Sequence, residues 1–434
     1  MNKINLTTNY MRYQQIIDSC FEEVIGTNGL SKEYFAQSAD LADNILQQIK
    51  VSATSGDFPI INHLQSDVDL DQIIEIGDKI RDQFDELVVL GTGGSTLNPQ
   101  SLVALTQPHG GIDKRVYFID SVDPFTINAY IQQLDLTSTA FLVTSKSGRT
   151  NETIVQFITF LLEYDYQAIR NKGNHFFVIT DPADNPIREI AKKINATIID
   201  HEVNIGGRFA TFTNVGLIPA AVAGVDIVKI RSSAKDTMLS FLNGNNAPAI
   251  GAALQYSFMQ KNISKTVIMP YIDRLSALSS WYKQIWAESL GKDGKGNTPI
   301  KAVGALDQHS QLQLYLDGPK DKFFNLITLD TERTGNIVNN KYLNKEIDYL
   351  NNKTVGDINA ALQKATKETL INNGCPVRHI KLTNMNEESL AALMSHFILE
   401  TVITAGMLKL NAFDQPAVEE GKIIAKKILS SSIK

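Results

Sequence analysis

Two hydrophobic periodicities alternate along most of this chain. Uninterrupted apolar runs at 87–90, 116–119, 140–143, 176–179 and 197–199 have the length and composition of strands buried on both faces. Between them the apolar positions recur at helical spacing. Strand–helix alternation of this kind predicts an α/β fold with a doubly wound parallel sheet. A more helical stretch over 216–262 follows, and then the alternation returns in looser form. Its strands are predicted at 267–269, 300–303, 324–329 and 377–382, and its helices at 276–290, 356–373, 387–409 and 415–430. Residues 1–80 read mostly as helix, with the clearest spacing at 34–49 and 70–84. The division expected is a helical segment over 1–45, α/β units over 46–225 and 226–410, and a C-terminal helix over 411–434. The asparagine-rich stretch 336–352 reads as a surface excursion, and no fixed-period repeat is visible.

Composition narrows the class. A chain of 434 residues with 43% hydrophobic and 20% charged content can build two or three globular cores. A net charge of −6 argues against nucleic acid as the partner, because a phosphate backbone needs a basic stripe. One small anion in a local cationic pocket remains compatible. The first residues lack the apolar core of a signal peptide. The strongest apolar run, 215–225, is too short to cross a bilayer and contains Pro219. A cytoplasmic protein with no membrane partner is therefore expected. Cys20 and Cys375 are far apart and form no metal or redox spacing.

The richest chemistry follows the third apolar run, in Ser145-Lys146-Ser147-Gly148-Arg149-Thr150. A strand that breaks into hydroxyls and glycine before a helix presents free backbone N–H groups to one small anion. Ser145, Ser147 and Thr150 add hydroxyl donors, and Lys146 adds a compact positive charge. Helix capping alone accounts for one such residue, but less readily for the group.

Gly91-Thr92-Gly93-Gly94-Ser95-Thr96 ends the first run and resembles a dinucleotide loop, with Asp120 as a candidate ribose carboxylate. The third glycine is missing at Thr96, so a sugar or phosphate beside Gly94 and Ser95 fits better than a nicotinamide nucleotide. Gly206-Gly207 permits close approach of a ligand beside Arg208, whose guanidinium is a permanent charge with planar donors. Glu288 falls in the last turn of a predicted helix, against the helix dipole. His309 offers an imidazole that titrates near neutral pH. Gln415 and Lys422 lie at the entry of the terminal helix, where Pro416 suits the first turn.

Taken in order, these segments resemble the glucose-6-phosphate isomerase (phosphoglucose isomerase) family across nearly the whole chain. The motifs are GTGGSTLNP at 91–99, SKSGRTNET at 145–153, GGRFATFTNVGLIPAA at 206–221, WAESLGK at 286–292 with DQHSQLQLYLDGP at 307–319, and FDQPAVEEGK at 413–422. Asn98 stands where the family usually has glycine, and Ala210 and Asn214 where small or hydroxyl residues are more typical.

The resemblance implies two tandem sugar-isomerase (SIS) domains with helical N- and C-terminal additions. It also implies reversible conversion of glucose 6-phosphate to fructose 6-phosphate, with neither metal nor nucleotide cofactor. By motif, Gly94, Ser95, Ser145, Lys146, Ser147 and Thr150 hold the phosphate and Gln415 contacts the sugar. Glu288 moves the proton, Arg208 stabilises the enediolate, and His309 with Lys422 opens the ring. The family's active site borrows its histidine from a neighbouring subunit, so a homodimer with shared sites is implied. Two readings stay open: an isomerase that also accepts mannose 6-phosphate, and a sugar-phosphate-binding regulator without catalysis.

Overall fold

The computed structural model describes residues 7–10, 12–106 and 115–431. Its first element corrects the expected helical segment over 1–45. Strands β1 (Thr7–Tyr10) and β2 (Tyr13–Ile16) form an antiparallel hairpin. A helix, Lys32–Ser55, follows only after Ser31, whose hydroxyl accepts a hydrogen bond from Tyr34 N–H at 3.3 Å. The boundary placed at 45 falls inside this helix, which packs on the helices Ala247–Gln260 and Glu387–Met407. The two strands are four residues each, too short for a two-residue period to stand out, and a pre-existing sheet edge supplies their pairing.

The first sheet comprises β3 (Glu86–Leu90), β4 (Arg115–Ile119), β5 (Thr139–Thr144), β6 (Phe176–Thr180) and β7 (Thr197–Asp200). All its pairings are parallel, in the order β4-β3-β5-β6-β7. The second contains β8 (Lys265–Pro270), β9 (Thr298–Lys301), β10 (Lys322–Leu329) and β11 (Val377–Leu382), parallel among themselves. Its order is β1-β2-β11-β10-β8-β9, so the N-terminal hairpin extends it antiparallel beyond β11. β9 begins and ends two residues earlier than the predicted 300–303. It is an edge strand bonded to β8 alone, and Val303 N–H is taken by Asp307 Oδ2 at 2.6 Å.

Strand alternation sorts side chains between layers. Leu87, Val89, Ala140 and Leu142 face one large core that also takes Ile268, Ile327 and Ile380 from the second sheet. Val88, Leu90, Phe141 and Val143 face a separate core on the other side of the first sheet. Val267, Met269, Phe324 and Leu326 do the same for the second. The two units thus share a central apolar layer. The helix Glu387–Met407 is long and apolar enough to cross a membrane, yet 94% of its apolar window is buried inside the fold as part of that layer.

In each sheet the winding reverses direction once, between β3 and β5 in the first and between β8 and β10 in the second. Loops leaving the C-terminal ends of the two strands at such a point diverge, and the crevice between them is where open α/β sheets bind ligands.

Candidate active site

The first crevice is formed by the two motifs that the sequence analysis singles out for an anion. After β3 the chain enters the helix Gly94–Val103, and after β5 it turns through Ser145–Thr150 into the helix Asn151–Tyr166. Ser145 is buried, and its hydroxyl donates to Thr150 Oγ1 at 3.2 Å. Thr150 is the N-cap residue but makes no side-chain capping bond, leaving the first-turn N–H groups without a side-chain acceptor. Gly148 has φ +60°, and a Cβ there would lie 1.8 Å from Asn185 Oδ1, so only glycine fits the turn. The Ser95 and Ser145 loops are neighbours: a methyl built on Gly91 would lie 2.8 Å from Ser95 Cβ and 3.0 Å from the Thr144 carbonyl oxygen.

Lys146 is placed differently from its predicted role. Its ammonium donates to the carbonyl oxygens of Val203 at 2.6 Å and Ile205 at 3.0 Å, on the loop after β7. Partial burial pulls its pKa below the usual lysine value, against the pull of Asp181 and Glu202. Ser147 is exposed and accepts from Arg149 N–H at 3.2 Å.

The second cluster is built around Arg208, on the short turn Gly207–Phe212. Its side chain is almost fully buried and all five N–H donors are used. Nε donates to Ser289 Oγ at 2.9 Å, and one terminal nitrogen to Glu288 Oε2 at 3.2 Å and Gln415 Oε1 at 2.7 Å. The other terminal nitrogen holds the carbonyls of Ala412 at 2.6 Å and Asp414 at 3.0 Å. Burial pulls the guanidinium pKa down from its ordinary value, while the Glu288 carboxylate acts in the opposite direction. Arg208 therefore supplies the cation that offsets the unfavourable dipole at Glu288, near the end of the helix Ser276–Leu290. Lys292 bonds Asp414 Oδ1 at 2.6 Å and fixes the same 411–415 segment; that contact lowers the Asp414 pKa.

Gln284 is a site residue that the sequence reading missed. It lies one turn before Glu288 on the same helix face and donates to Glu288 Oε1 at 2.9 Å. Its own carbonyl oxygen is buried without a partner. A methyl built on Gly93 would lie 2.9 Å from its amide nitrogen, and one on Gly94 would lie 2.4 Å from the Gly207 carbonyl oxygen. The glycine loop, the Arg208 turn and the Glu288 helix thus meet at one place. The signal was present as spacing: Gln284 and Glu288 are four residues apart, the interval that stacks side chains on a helix.

Two predicted residues stand apart from this cluster. His309 is exposed, on the turn after β9. Lys422 is exposed on the helix Glu419–Ser431 and pairs with Glu419 at 2.6 Å. The crevice of the second sheet opens as a cavity of about 770 Å³ lined by residues including Tyr271, Ile272, Lys301 and Leu329, and holds none of the predicted side chains.

Two doubly wound units with an uncapped, hydroxyl-rich turn at one switch point and an arginine–glutamate pair beside it define a SIS-type α/β protein with a phosphosugar-isomerase architecture. The family model for phosphoglucose isomerase matches residues 69–434. Among curated relatives, the chain is 34% identical to a glucose-6-phosphate isomerase of Rubrobacter xylanophilus, covering 82% of this chain and 85% of that protein. It is 33% identical to one of Methanocaldococcus jannaschii, covering 80% and 84%. A solved structure of a hypothetical protein from Thermus thermophilus superposes with TM-score 0.84 at 28% identity, covering 96% and 99%. The glucose-6-phosphate isomerase of Chlamydia trachomatis shares the fold, with TM-score 0.79 at 18% identity over 98% and 90%. The chain belongs to the phosphoglucose isomerase family.

Proposed function

We infer that this protein interconverts glucose 6-phosphate and fructose 6-phosphate, the aldose–ketose step shared by glycolysis and gluconeogenesis. Alongside family membership, the observation that carries the reading is the junction of the first-sheet loops with the Arg208–Glu288 pair. Phosphate is to be held by the N–H groups and hydroxyls around Gly94, Ser95, Ser145, Ser147 and Thr150. Anchoring that end of the sugar places C1 and C2 against Glu288.

Glu288, oriented by Arg208 and Gln284 through its two oxygens, takes the proton from C2. The C2–H electron pair becomes the C1=C2 bond, and the carbonyl oxygen on C1 becomes an enediolate oxygen. Arg208 lies next to Glu288, where its charge favours that developing anion. A proton passes from O2 to O1, and the Glu288 carboxylic acid returns its proton to C1, leaving the ketone at C2. Gln415, already on Arg208, is a sugar contact.

Ring opening is assigned to His309 and Lys422. Both are exposed and separate from the cluster within one chain, which fits a homodimer in which His309 enters the neighbour's crevice. Mixing inactive Glu288→Gln and His309→Ala chains tests this reading. A mixed dimer then has one crevice with both functional groups, so randomised subunits should recover about a quarter of wild-type activity. No recovery, with mixed dimers demonstrably formed, would place both groups in the same chain's site. The function itself is tested by coupled assay of glucose 6-phosphate formation from fructose 6-phosphate, and absence of turnover refutes it.

A further inference from the structure

Asn98, which stands where the resemblance leads one to expect glycine, lies fully buried in the helix Gly94–Val103. A carboxamide has two N–H donors and two acceptor positions, and all four are filled here. The nitrogen donates to the carbonyl of Gly94, one turn back, and to that of Gly207 at 2.7 Å. The oxygen accepts from Thr211 Oγ1 at 2.6 Å and from Trp281 Nε1 at 2.9 Å. A carbonyl can only accept and an indole can only donate, so the amide has one orientation that satisfies its neighbours. Turning it over would set oxygen against oxygen and nitrogen against nitrogen.

Those four partners belong to three parts of the site. Gly94 opens the helix that carries Ser95. Gly207 and Thr211 flank Arg208 on its turn. Trp281 precedes Glu288 by two helical turns on the Ser276–Leu290 helix. A glycine at 98 would make none of these bonds, and would leave the Trp281 N–H buried beside a void. Trp281 is itself fully buried, so its donor has no water to turn to.

We propose that Asn98 is a positioning residue that fixes the spacing between the phosphate loops of the first sheet and the Glu288–Arg208 pair. It touches no reacting atom; it acts through the three segments it ties together. The proposal rests on the reading of those segments as phosphate cradle, base and electrostatic stabiliser. Displacing reacting groups by ~1 Å can cost ~100-fold in rate, so a small slip between the segments is enough.

The test uses Asn98→Gly, which removes the hub, and Thr211→Val, which removes one donor at constant volume. Both are assayed in the full-length protein well below their melting midpoints. The turnover number is expected to fall about tenfold or more in Asn98→Gly, and less in Thr211→Val. The inhibition constant of inorganic phosphate, which reads the cradle alone, should stay within about twofold. A folded Asn98→Gly with wild-type turnover overturns the proposal. So does a parallel loss of phosphate inhibition, which would make Asn98 part of the cradle. Should Asn98→Gly not fold, an unchanged turnover in Thr211→Val overturns it equally. If the unaltered protein proves inactive, the functional reading fails, and hydrogen exchange still reads the hub. Joint loss of protection in 92–98, 206–212 and 278–290 on Asn98→Gly supports it, and a change confined to 92–98 overturns it.

Discussion

Arg378 meets Glu400 through two contacts, at 2.6 and 3.0 Å, and neither side chain has any exposure. Arg208 meets Glu288 through one contact at 3.2 Å, and the Glu288 side chain is 34% exposed. In the first pair every charged atom is closed off by protein. His396 bonds Glu400 Oε2 at 2.8 Å and is held in turn by Tyr13 at 2.7 Å, while Arg378 also reaches Asn325 and Gln15. A buried charge is tolerable only when well supplied with hydrogen-bond partners, and this network engages four of the five Arg378 N–H groups and both Glu400 oxygens with groups from β2, β10, β11 and the helix Glu387–Met407. In the second pair Arg208 is saturated but Glu288 retains a path to solvent. The same two residue types therefore form in one place a closed structural cross-link and in the other a pair whose carboxylate stays open to solvent, as the proposed base requires. What separates them is access.

Exchanging the function of each glutamate for an uncharged one should separate the two uses. Glu288→Gln keeps the shape and the contact with Arg208 but cannot accept the substrate proton. Turnover is expected to fall by ~10²–10⁴-fold, with thermal stability close to wild type. Near-normal turnover in the coupled assay would remove Glu288 from the base role. Glu400→Ala strands a buried guanidinium and should lower unfolding stability by about 3–5 kcal/mol, read by denaturant titration. Activity per folded molecule should change little, because the cross-link touches no substrate group. Loss of activity without loss of stability would erase the contrast.

Acid sharpens the same comparison. The Arg378 charge and the hydrogen bonds of the network outweigh burial and hold the Glu400 carboxyl at about 2, below its ordinary 4.5. Burial, opposed by Glu400, holds His396 below its ordinary 6.5. In both cases the unfolded chain binds more protons, so stability falls as pH falls. The contribution of His396 begins to be lost below about 6.5. That of Glu400 is complete above about 4.5 and is lost as pH drops towards about 2. Unfolding free energy measured across that range should decline in two stages, and Glu400→Ala should flatten the lower one. An unaltered lower stage would assign acid sensitivity to other carboxylates.

How much of this was legible beforehand follows from how local each signal is. The double α/β alternation was readable because strands in the middle of a parallel sheet are short, mostly apolar runs, and the nine predicted ones, five and then four, fall on the parallel strands of the two sheets. The N-terminal hairpin was not, since Tyr13 and Gln15 become inward-facing only once β11 offers an edge. Arg208, Glu288 and Gln415 were found by motif, and the structure brings them within hydrogen-bonding distance of one another through Arg208. Gln284 and Asn98 escaped because their meaning depends on what a distant segment places opposite them. Asn98 looked like a departure in a glycine loop. Its four partners lie on three separate stretches of sequence.

Lys146 gives the smallest expected effect and the finest distinction. By motif its charge attracts the sugar phosphate directly. In the structure the ammonium is held by two carbonyls of the loop after β7, so its charge acts at a distance while its bonds brace that loop. Replacing it with methionine keeps most of the stem and removes both effects. If bracing dominates, the Michaelis constant should rise only a few-fold, and by the same factor at low and high salt, because hydrogen bonds to a half-buried loop are weakly screened. A direct ion pair with a solvent-accessible phosphate behaves otherwise: the penalty is large in dilute buffer and shrinks as the Debye length falls to about 3 Å near 1 M salt. Measuring the ratio of mutant to wild-type constants at both ionic strengths decides between them. A ratio that collapses towards one at high salt would show that the ammonium leaves its carbonyls to meet the substrate.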